Sequence, residues 1–285
     1  MSAAGNGAIP TYLVVVEFGA VLRDVDHRRL QRLAQDAGAT LLPVRTDRVP
    51  EPGQLEPNRA FEFSGFQDGL QTALALTEGA SETDVLRLVF VNDTVFRAHL
   101  PGYGSALLRA LLAVRPPAPP GGACVGIEGP VPGDLSADGR AIRRYVSTWA
   151  FAVCASRAAI QNLRFFEAEI TEAAFAGTVW PGLPAGYRAS IDSWLEPLHY
   201  LKGWYQAIPG RPLDAATRWR KRHSIYLEHT LALRAERAGI ALLDIGATVS
   251  SPANRVRWAT LRLADRLFVN GKKLQHRVRV RLDRR

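Results

Sequence analysis

The chain has 285 residues and an apolar fraction of 47%, enough to bury the core of one large domain or two small ones. It contains no run of about 18 apolar residues, and its N-terminus lacks a basic region followed by an apolar one, so we expect neither a membrane-spanning helix nor a secretory signal. The two cysteines, Cys124 and Cys154, match neither a disulfide framework nor a metal motif, which favours a reducing, cytoplasmic location.

The net charge of +9 is concentrated at the C-terminus. Residues 255–285 contain 11 Lys or Arg and 2 Asp, and therefore account for the whole net charge. The rest of the chain is neutral, with 25 of the 36 basic residues and 25 of the 27 acidic ones. A neutral body with a basic tail is typical of a protein whose tail approaches anionic lipid or nucleic acid.

In the first half of the chain, apolar segments of strand length alternate with segments of helical periodicity. The predicted strands are TYLVVVEF (11–18), ATLLPVRTD (39–47), VLRLVFVN (85–92) and GACVGIEGP (122–130), and the predicted helices are VDHRRLQRLAQDAG (25–38), FEFSGFQDGLQTALALTEG (61–79) and YGSALLRALLAV (103–114). Pro43 indicates that the second strand lies at a sheet edge or contains a bulge. The alternation predicts an α/β fold with a doubly wound, mostly parallel sheet flanked by helices.

The second half is less regular. It contains a predicted strand YVSTWAFAVCAS (145–156), a helix (157–170), an aromatic, Gly- and Pro-rich region (180–210), a long helix from the N-cap Asp214 to Gly239, and a short strand IALLDIG (240–246). In the basic tail, Trp258, Leu261 and Phe268 predict an amphipathic helix. The alternating RVRVRL (277–282) predicts a final strand with one charged face.

A polar cluster, Asn92-Asp93-Thr94, begins at the last residue of the strand 85–92. Ligands of doubly wound sheets bind outside the carboxyl ends of the strands, so this cluster lies where a ligand would bind. An Asp in that place suits a divalent cation whose other ligands are phosphates and water. The alternative is an Asn-Asp turn that caps the next segment.

Four segments in the same order resemble GT-A-type nucleotide-sugar glycosyltransferases, in particular rhamnan-synthesis F-type proteins. They are NRAFEFSGFQDGL (58–70), VFVNDTVF (89–96), YVSTWAFAVCASRAA (145–159) and YLEHTLALRAERAGIALL (226–243). The resemblance spans most of residues 11–245. It implies a GT-A-like (Rossmann-like) domain over residues 1–250, with an irregular acceptor-side region, and a basic extension over 251–285 packed on or beside it.

The function that this resemblance implies is transfer of a hexosyl or deoxyhexosyl group from a nucleoside diphosphate sugar to a bacterial surface polysaccharide or lipid-linked glycan. Such chemistry needs neutralisation of the leaving diphosphate, by Mg²⁺ or Mn²⁺ or by Arg and Lys. An inverting enzyme also needs a carboxylate that accepts the proton of the acceptor hydroxyl. A non-catalytic glycosyltransferase-like module that binds glycan or organises a partner enzyme is the alternative.

The resemblance suggests Glu228 as the general base and Asp93 as the residue that contacts the cation or the donor. Glu228 lies about 100° around its helix from the apolar stripe of Leu227, so it need not be buried; the alternative is a solvated helix glutamate. The family's Asp-x-Asp pair is reduced here to Asn92-Asp93. The second acid of the last motif is replaced by His229, which would bind the metal or the diphosphate, or else is a helix histidine with another partner.

The remaining candidates follow from position or from the motifs. For the nucleotide sugar they are Glu17, Phe18, Gly19, Asp47, Asn58, Arg59, Glu62, Asn92, Asp93 and Thr94, although the segment at 56–62 also reads as an ordinary helix cap. For the acceptor they are Ser147, Trp149, Trp180, Trp204 and Tyr205, with the alternative that these aromatic residues pack a loop-rich region. Lys221, Arg222 and His223 would meet the diphosphate or form a solvated face.

The basic tail has three interpretations. Contact with the inner face of the membrane suits an enzyme that elongates a lipid-linked glycan. A solubilising tail is the alternative. Binding of nucleic acid is not expected, because the chain has no nucleic-acid motif and its body is neutral.

Overall fold

A computed structural model describes residues 9–17, 22–46, 62–96, 98–115, 122–132, 134–137, 140–165, 183–197, 210, 212–248 and 252–282. The strands are β1 (Thr11–Glu17), β2 (Thr40–Arg45), β3 (Val85–Asn92), β4 (Gly122–Pro130), β5 (Ser136–Ala137), β6 (Arg140–Ala141), β7 (Arg144–Ser156) and β8 (Ile240–Asp244). The helices are α1 (Asp24–Asp36), α2 (Glu62–Leu76), α3 (Pro101–Leu112), α4 (Arg157–Asn162), α5 (Ala185–Leu195), α6 (Ala215–Arg237), α7 (Ile245–Thr248) and α8 (Pro252–Leu282). Within these ranges, no helix combines the length and the apolar content needed to cross a bilayer.

The main sheet has six described strands in the order β2-β1-β3-β7-β4-β8. Strands β2, β1 and β3 are parallel to one another, β4 is parallel to β8, and β7 runs antiparallel to both of its neighbours. The predicted α/β fold with a mostly parallel sheet is therefore confirmed. Strand β2 lies at the edge of the sheet, in agreement with the position of Pro43.

Helices cover both faces of the sheet. On one face, α2, α4 and α6 contribute buried side chains such as Phe66, Ile160 and Leu227. On the other face, α1, α3, α7 and α8 contribute side chains such as Leu33 and Leu107. Burial on both faces explains why β1 and β3 are continuous apolar runs without alternation. These faces are called the α2/α6 face and the α3/α8 face below.

The C-terminal segment differs from its predicted structure. Helix α8 continues through residues 277–282, so the final strand predicted from the alternating RVRVRL is wrong. Extending an existing helix adds one hydrogen bond for each residue fixed, whereas a strand needs a partner strand. Residues 252–282 therefore form one long helix.

Helix α2 packs unusually close to β1 because two of its glycines face valines of that strand. A Cβ atom added at Gly69 would lie 2.2 Å from Cγ1 of Val14, and one added at Gly65 would lie 2.5 Å from Cγ1 of Val16. Both glycines belong to the segment 58–70, the first of the four motif segments described above. Their packing holds the N-terminal end of α2, where Glu62 lies, near the ends of the strands.

We expect Gly69→Ala to lower the free energy of unfolding by about 1–3 kcal/mol, because the added methyl group overpacks the contact with Val14. Thermal denaturation would show the loss as a fall in Tm of several degrees. Gly102→Ala in α3 is the control, since a Cβ there meets no atom within 4 Å and the substitution should be neutral or slightly stabilising. Equal Tm values for the two variants would contradict the close packing.

Candidate functional site

The candidate site lies where the parallel strands end, an edge that is called the carboxyl edge below. Strands β1, β3 and β4 end there, and the antiparallel strand β7 begins there. In open α/β sheets, ligands bind outside this edge. The segments that continue from these strands therefore determine what the site can bind.

An irregularity in β7 shapes this edge. Gly126 of β4 pairs with Phe151 and Glu128 pairs with Val146, so two steps along β4 correspond to five along β7. Residues 147–150 thus form a bulge relative to β4. Bulges turn side chains away from the regular alternation of a strand, and here the bulge directs Thr148 toward α6.

Glu228 of α6 is anchored to this bulge through one carboxylate oxygen. Its Oε1 accepts a hydrogen bond from the backbone N–H of Thr148 (2.9 Å) and another from Oγ1 of Thr148 (3.1 Å). Among the described residues, Oε2 receives no hydrogen bond. The Glu228 side chain is half-buried, so it is neither in the core nor a solvated helix glutamate. Oε1 is thus fixed by two hydrogen bonds.

Burial raises the pKa of Glu228 to about 7. The hydrogen bonds from Thr148 and the positive charge of Lys221 act in the opposite direction, whereas the nearby Glu62 raises the pKa further. Lys221 lies two helical turns before Glu228 on the same face of α6. A carboxyl group with a pKa near 7 exchanges a proton readily at neutral pH, which is the property of a general base or acid.

Two tyrosines near enough to respond to the charge of Glu228 contact the next residue of α6, His229. The hydroxyl of Tyr187 hydrogen-bonds to Nδ1 of His229 (2.9 Å), and the ring of Tyr145 meets the His229 ring edge to face at 4.7 Å between centroids. Burial lowers the pKa of His229 to about 4, so this imidazole is neutral at neutral pH. Burial, followed by the charge of Glu228, raises the pKa of Tyr145 to about 12, and burial raises that of Tyr187 well above its usual value. Both phenols are thus protonated.

The structure gives the predicted metal ligands no common donor set. No group of three His, Cys, Asp or Glu able to hold a metal ion occurs within the described part of the chain. Nδ1 of His229 is engaged with Tyr187, and its residue is only 5% exposed. Metal binding by His229 and Asp93 stays a prediction.

The polar cluster after β3 forms a turn. Oδ1 of Asn92 accepts hydrogen bonds from the backbone N–H of Thr94 (3.1 Å) and from its Oγ1 (2.6 Å). The backbone N–H of Asp93 donates to the carbonyl oxygen of Val16 (2.9 Å), which fixes this turn beside the end of β1. The side chains of Asn92 and Thr94 therefore stabilise a turn, which is the second of the two interpretations that the sequence allowed. Asp93, between them, is only 5% exposed. Its contact with a donor sugar stays a prediction.

Other predicted residues are distributed around this edge. Glu17 ends β1, where its carbonyl oxygen accepts from Thr46, and Glu62 begins α2; both are half-buried. Ser147 is half-buried in the β7 bulge. Phe18, Gly19, Asp47, Asn58, Arg59, Trp180, Trp204 and Tyr205 lie outside the described residues, so their predicted roles stay predictions.

Trp149 lies on the α3/α8 face, whereas α6 and Glu228 cover the opposite face. Its ring stacks on His99 at 3.8 Å between centroids and packs against the core of the α3/α8 face. This contact supports the packing interpretation of Trp149 more than the acceptor-binding one.

The predicted cationic cluster of α6 separates into different roles. Arg222 donates through Nε and Nη2 to Oδ1 of Asp192, which joins α6 to α5. His223 is buried against the ring of Trp219. Lys221 remains the member of this group that acts electrostatically on Glu228.

Sequence reasoning missed Thr148, Tyr145 and Tyr187. Tyr145 and Thr148 belong to the segment YVSTW, in which the sequence indicates only Ser147 and Trp149 as candidates. Because of the β7 bulge, side chains of this segment point to the opposite face of the sheet from the one that regular alternation predicts. No local sequence pattern indicates the bulge. Tyr187 lies in the aromatic region, where nothing distinguishes it from its neighbours.

The Glu228 pKa predicts a pH-dependent gain in stability for Glu228→Gln. In the native state this group keeps its proton up to about pH 7, whereas a glutamate in the unfolded chain loses it near pH 4.5. The stabilisation from the neutral carboxyl is therefore present below about pH 4.5 and lost as the pH rises through about 7. Since glutamine does not titrate, the Tm of the variant relative to the native protein should rise between about pH 4.5 and about pH 8, by the equivalent of about 1–3 kcal/mol.

Glu78→Gln is the control for this experiment, because Glu78 is exposed on the surface just beyond α2. Its Tm difference from the native protein should not depend on pH. A pH-independent difference for Glu228→Gln would show that Glu228 titrates as an ordinary glutamate. The buried His229 is common to all three proteins and cancels in the comparison.

Comparison with known proteins gives no match: no protein-family model, no curated protein and no solved structure is significantly similar to this chain.

Proposed function

We propose that the protein is a glycosyltransferase of GT-A type, which moves a sugar from a nucleoside diphosphate sugar to a hydroxyl group of a bacterial surface polysaccharide or lipid-linked glycan. The single observation that supports it best is the state of Glu228: one oxygen held by Thr148, the other available, and a pKa of about 7 at the carboxyl edge of the sheet. The mostly parallel sheet agrees with this fold type. The order of the four motifs along the chain is the second support.

In this reaction, Oε2 of Glu228 accepts the proton of the acceptor hydroxyl as its oxygen attacks the anomeric carbon. The new C–O bond forms while the bond from the anomeric carbon to the diphosphate oxygen breaks, and the diphosphate leaves with the electron pair. Attack opposite to the leaving group inverts the anomeric configuration. A base with a pKa near the working pH is suited to this step, since it is partly ionised and still binds a proton strongly.

The neighbours of Glu228 hold its carboxylate in place for this role. The two hydrogen bonds from Thr148 fix the position of Oε1 relative to β7. Lys221 provides a positive charge near the leaving diphosphate in this proposal. The phenol of the half-buried Tyr145, which remains protonated, would hydrogen-bond an acceptor hydroxyl in this proposal.

A divalent cation, Mg²⁺ or Mn²⁺, fits this arrangement only with Asp93 as one carboxylate ligand and with the remaining ligands from the diphosphate and water. A bound cation would neutralise the charge of the leaving group. Asp93 and Asn92 follow β3 as the reduced form of the Asp-x-Asp pair, and the amide oxygen of Asn92 is taken by Thr94.

That engagement of Asn92 is also the observation that favours the second candidate, a non-catalytic module that binds glycan or organises a partner enzyme. Loss of one acidic residue weakens cation and diphosphate binding more than it weakens binding of a neutral saccharide. The two functions are distinguished by nucleotide-sugar binding and turnover.

A panel of UDP-, GDP-, dTDP- and CMP-sugars, with and without Mn²⁺, should contain a donor that raises the Tm of the protein. With that donor, Glu228→Gln should lower the release of nucleoside diphosphate by about 10²–10⁴-fold, because the proton acceptor is lost. The donor-induced rise in Tm should remain. Glu236→Gln, on the same helix at an exposed position, is the matched control and should keep full turnover.

Full turnover of Glu228→Gln would remove this residue from the reaction. Binding of saccharide by the native protein without a response to any nucleotide sugar would favour the non-catalytic module.

The hydroxyl of Thr148 should tune the pH profile. Thr148→Val removes one of the two hydrogen bonds to Oε1, while the backbone N–H bond is retained, so the pKa of Glu228 should rise. The acidic limb of the kcat/KM profile should move to higher pH by about 0.5–1 unit. Thr148→Ser retains the hydroxyl and should restore the native profile. An unchanged limb in Thr148→Val would indicate that the limb reports another group.

A further inference from the structure

The α3/α8 face carries a groove that the proposed reaction does not use. It lies between α3 and α8 and has a volume of about 670 Å³. Small and apolar side chains such as Ala106, Ala110 and Leu261 form its floor. Arginines lie at its rim, and none of the described residues that line it is acidic.

The rim arginines are Arg109, Arg115 and Arg257, and all three are exposed. Within the described ranges, none of them forms an ion pair. Three guanidinium groups around one apolar groove, without an acidic partner in its lining, favour a ligand that has both an anionic and an apolar part.

The outer face of α8 adds a stripe of exposed apolar side chains. Its members are Val256, Leu263, Leu267 and Leu274, each between 54% and 68% exposed. At 100° for each residue, they lie within about 40° of one another around the helix. Arg257 lies about 100° from Val256, so the rim of the groove and this stripe adjoin.

Contacts with α3 fix the orientation of this stripe. Trp258 is buried against the ring of Tyr103 (5.4 Å between centroids). The carboxylate of Asp265 accepts from the backbone N–H of Leu100 (2.7 Å) and hydrogen-bonds to Nδ1 of His99 (2.9 Å). Trp258 and Asp265 lie opposite the stripe on the helix, so docking of α8 on α3 turns the apolar side chains outward.

Charge decides among the partners that such a surface could take. Residues 255–285 carry the whole net charge of +9, so pairing with a second copy would place two segments of this charge side by side. Nucleic acid would use the arginines but leave the apolar stripe in water. An anionic bilayer surface suits both the arginines and the apolar stripe, because its headgroups attract Arg and Lys and its acyl boundary accepts leucine.

We propose that α8 and the α3/α8 groove form a binding site for anionic phospholipid at a membrane surface. The four apolar side chains enter the interface, and Arg109, Arg115 and Arg257 contact headgroup phosphates. Helix α8 lies in the plane of the interface, as expected for a helix with a strongly charged face and low overall hydrophobicity. This proposal does not rest on the reaction proposed above, since none of its residues takes part in that reaction.

Co-sedimentation of the full chain with vesicles tests this site. The protein should bind vesicles of phosphatidylcholine that contain phosphatidylglycerol, bind vesicles of phosphatidylcholine alone much more weakly, and dissociate as salt is raised. The double variant Leu263→Asn/Leu267→Asn should lower the partition coefficient on the anionic vesicles by about tenfold or more. Leu76→Asn, at a leucine of α2 that is 58% exposed, is the matched control and should bind as the native protein does.

The arginines are tested separately from the apolar stripe. Arg109→Gln and Arg257→Gln should each weaken binding to the anionic vesicles by about fivefold, without an effect on neutral vesicles. Arg28→Gln, at an exposed arginine of α1 outside the groove lining, is the control. If Arg109→Gln and Arg257→Gln weaken vesicle binding only as much as Arg28→Gln does, these arginines contribute only their net charge. The groove would then not be part of the binding site.

A fluorescent label reports insertion directly. The native cysteines Cys124 and Cys154 are fully buried, and burial raises the pKa of the Cys124 thiol to about 12, so a new exposed cysteine is labelled selectively. An environment-sensitive fluorophore on Leu267→Cys should shift to the blue with phosphatidylglycerol vesicles, and the same fluorophore on Leu76→Cys should not. Equal responses from the two positions would contradict insertion of the stripe.

Three other results would overturn the proposal. Equal binding to neutral and anionic vesicles would exclude recognition of the headgroup charge. A dimer in sedimentation equilibrium that is dissociated by Leu263→Asn/Leu267→Asn, without vesicle binding, would identify a second copy as the partner. Salt-sensitive binding of RNA or DNA that the same variant leaves unchanged, again without vesicle binding, would assign the basic face to nucleic acid.

Discussion

The two hydrogen bonds from Thr148 to Oε1 of Glu228 are the interaction on which the candidate site depends. They join α6 to the antiparallel strand β7 at the carboxyl edge of the sheet. Burial disfavours the charge of this carboxylate, and the hydrogen bonds with the charge of Lys221 only partly offset that penalty. The result is a group that is held in place and titrates near neutrality. A glutamate on the solvated side of α6 would have neither property.

This arrangement requires a bulge in β7 and a helix close to the sheet. The bulge at residues 147–150 lets the backbone and hydroxyl of Thr148 both face α6, which a regular strand does not allow at one position. On the same face, Gly65 and Gly69 let α2 approach β1 closely, so that Glu62 lies within electrostatic range of Glu228. The pKa of Glu228 thus depends on two features of the backbone, the bulge in β7 and the close approach of α2 to β1.

The two faces of the sheet are connected through the same bulge. Thr148 contacts Glu228 on the α2/α6 face, and its neighbour Trp149 stacks on His99 on the α3/α8 face. His99 in turn hydrogen-bonds to Asp265 of α8. A helix suited to a membrane surface and a carboxylate suited to proton transfer are therefore positioned by adjacent residues of one strand. For an enzyme that acts on a lipid-linked acceptor, this geometry would hold the site at a fixed position relative to the bilayer.

The sequence by itself determined the α/β fold, because runs of buried β-branched residues such as Val14 to Val16 alternate with helical periodicity, and both signals are local. It also limited the strand with Pro43 to a sheet edge or a bulge, and it determined the cap at Asp214 and the basic tail, since each follows from the chemistry of single residues or from counting charges. Glu228 was selected through a resemblance of motifs, but its pKa and its fixed oxygen were decided by tertiary structure, because they arise from burial and from Thr148, 80 positions away along the chain. Tertiary structure decided between the two alternatives for the segment 92–94, because a hydrogen bond from Asp93 to Val16 fixes the turn beside β1. It also placed Trp149 on the opposite face, where its packing partner His99 comes from a distant segment of the chain. Residues 277–282 continue α8, because alternation alone predicts a strand but a strand also needs a partner strand.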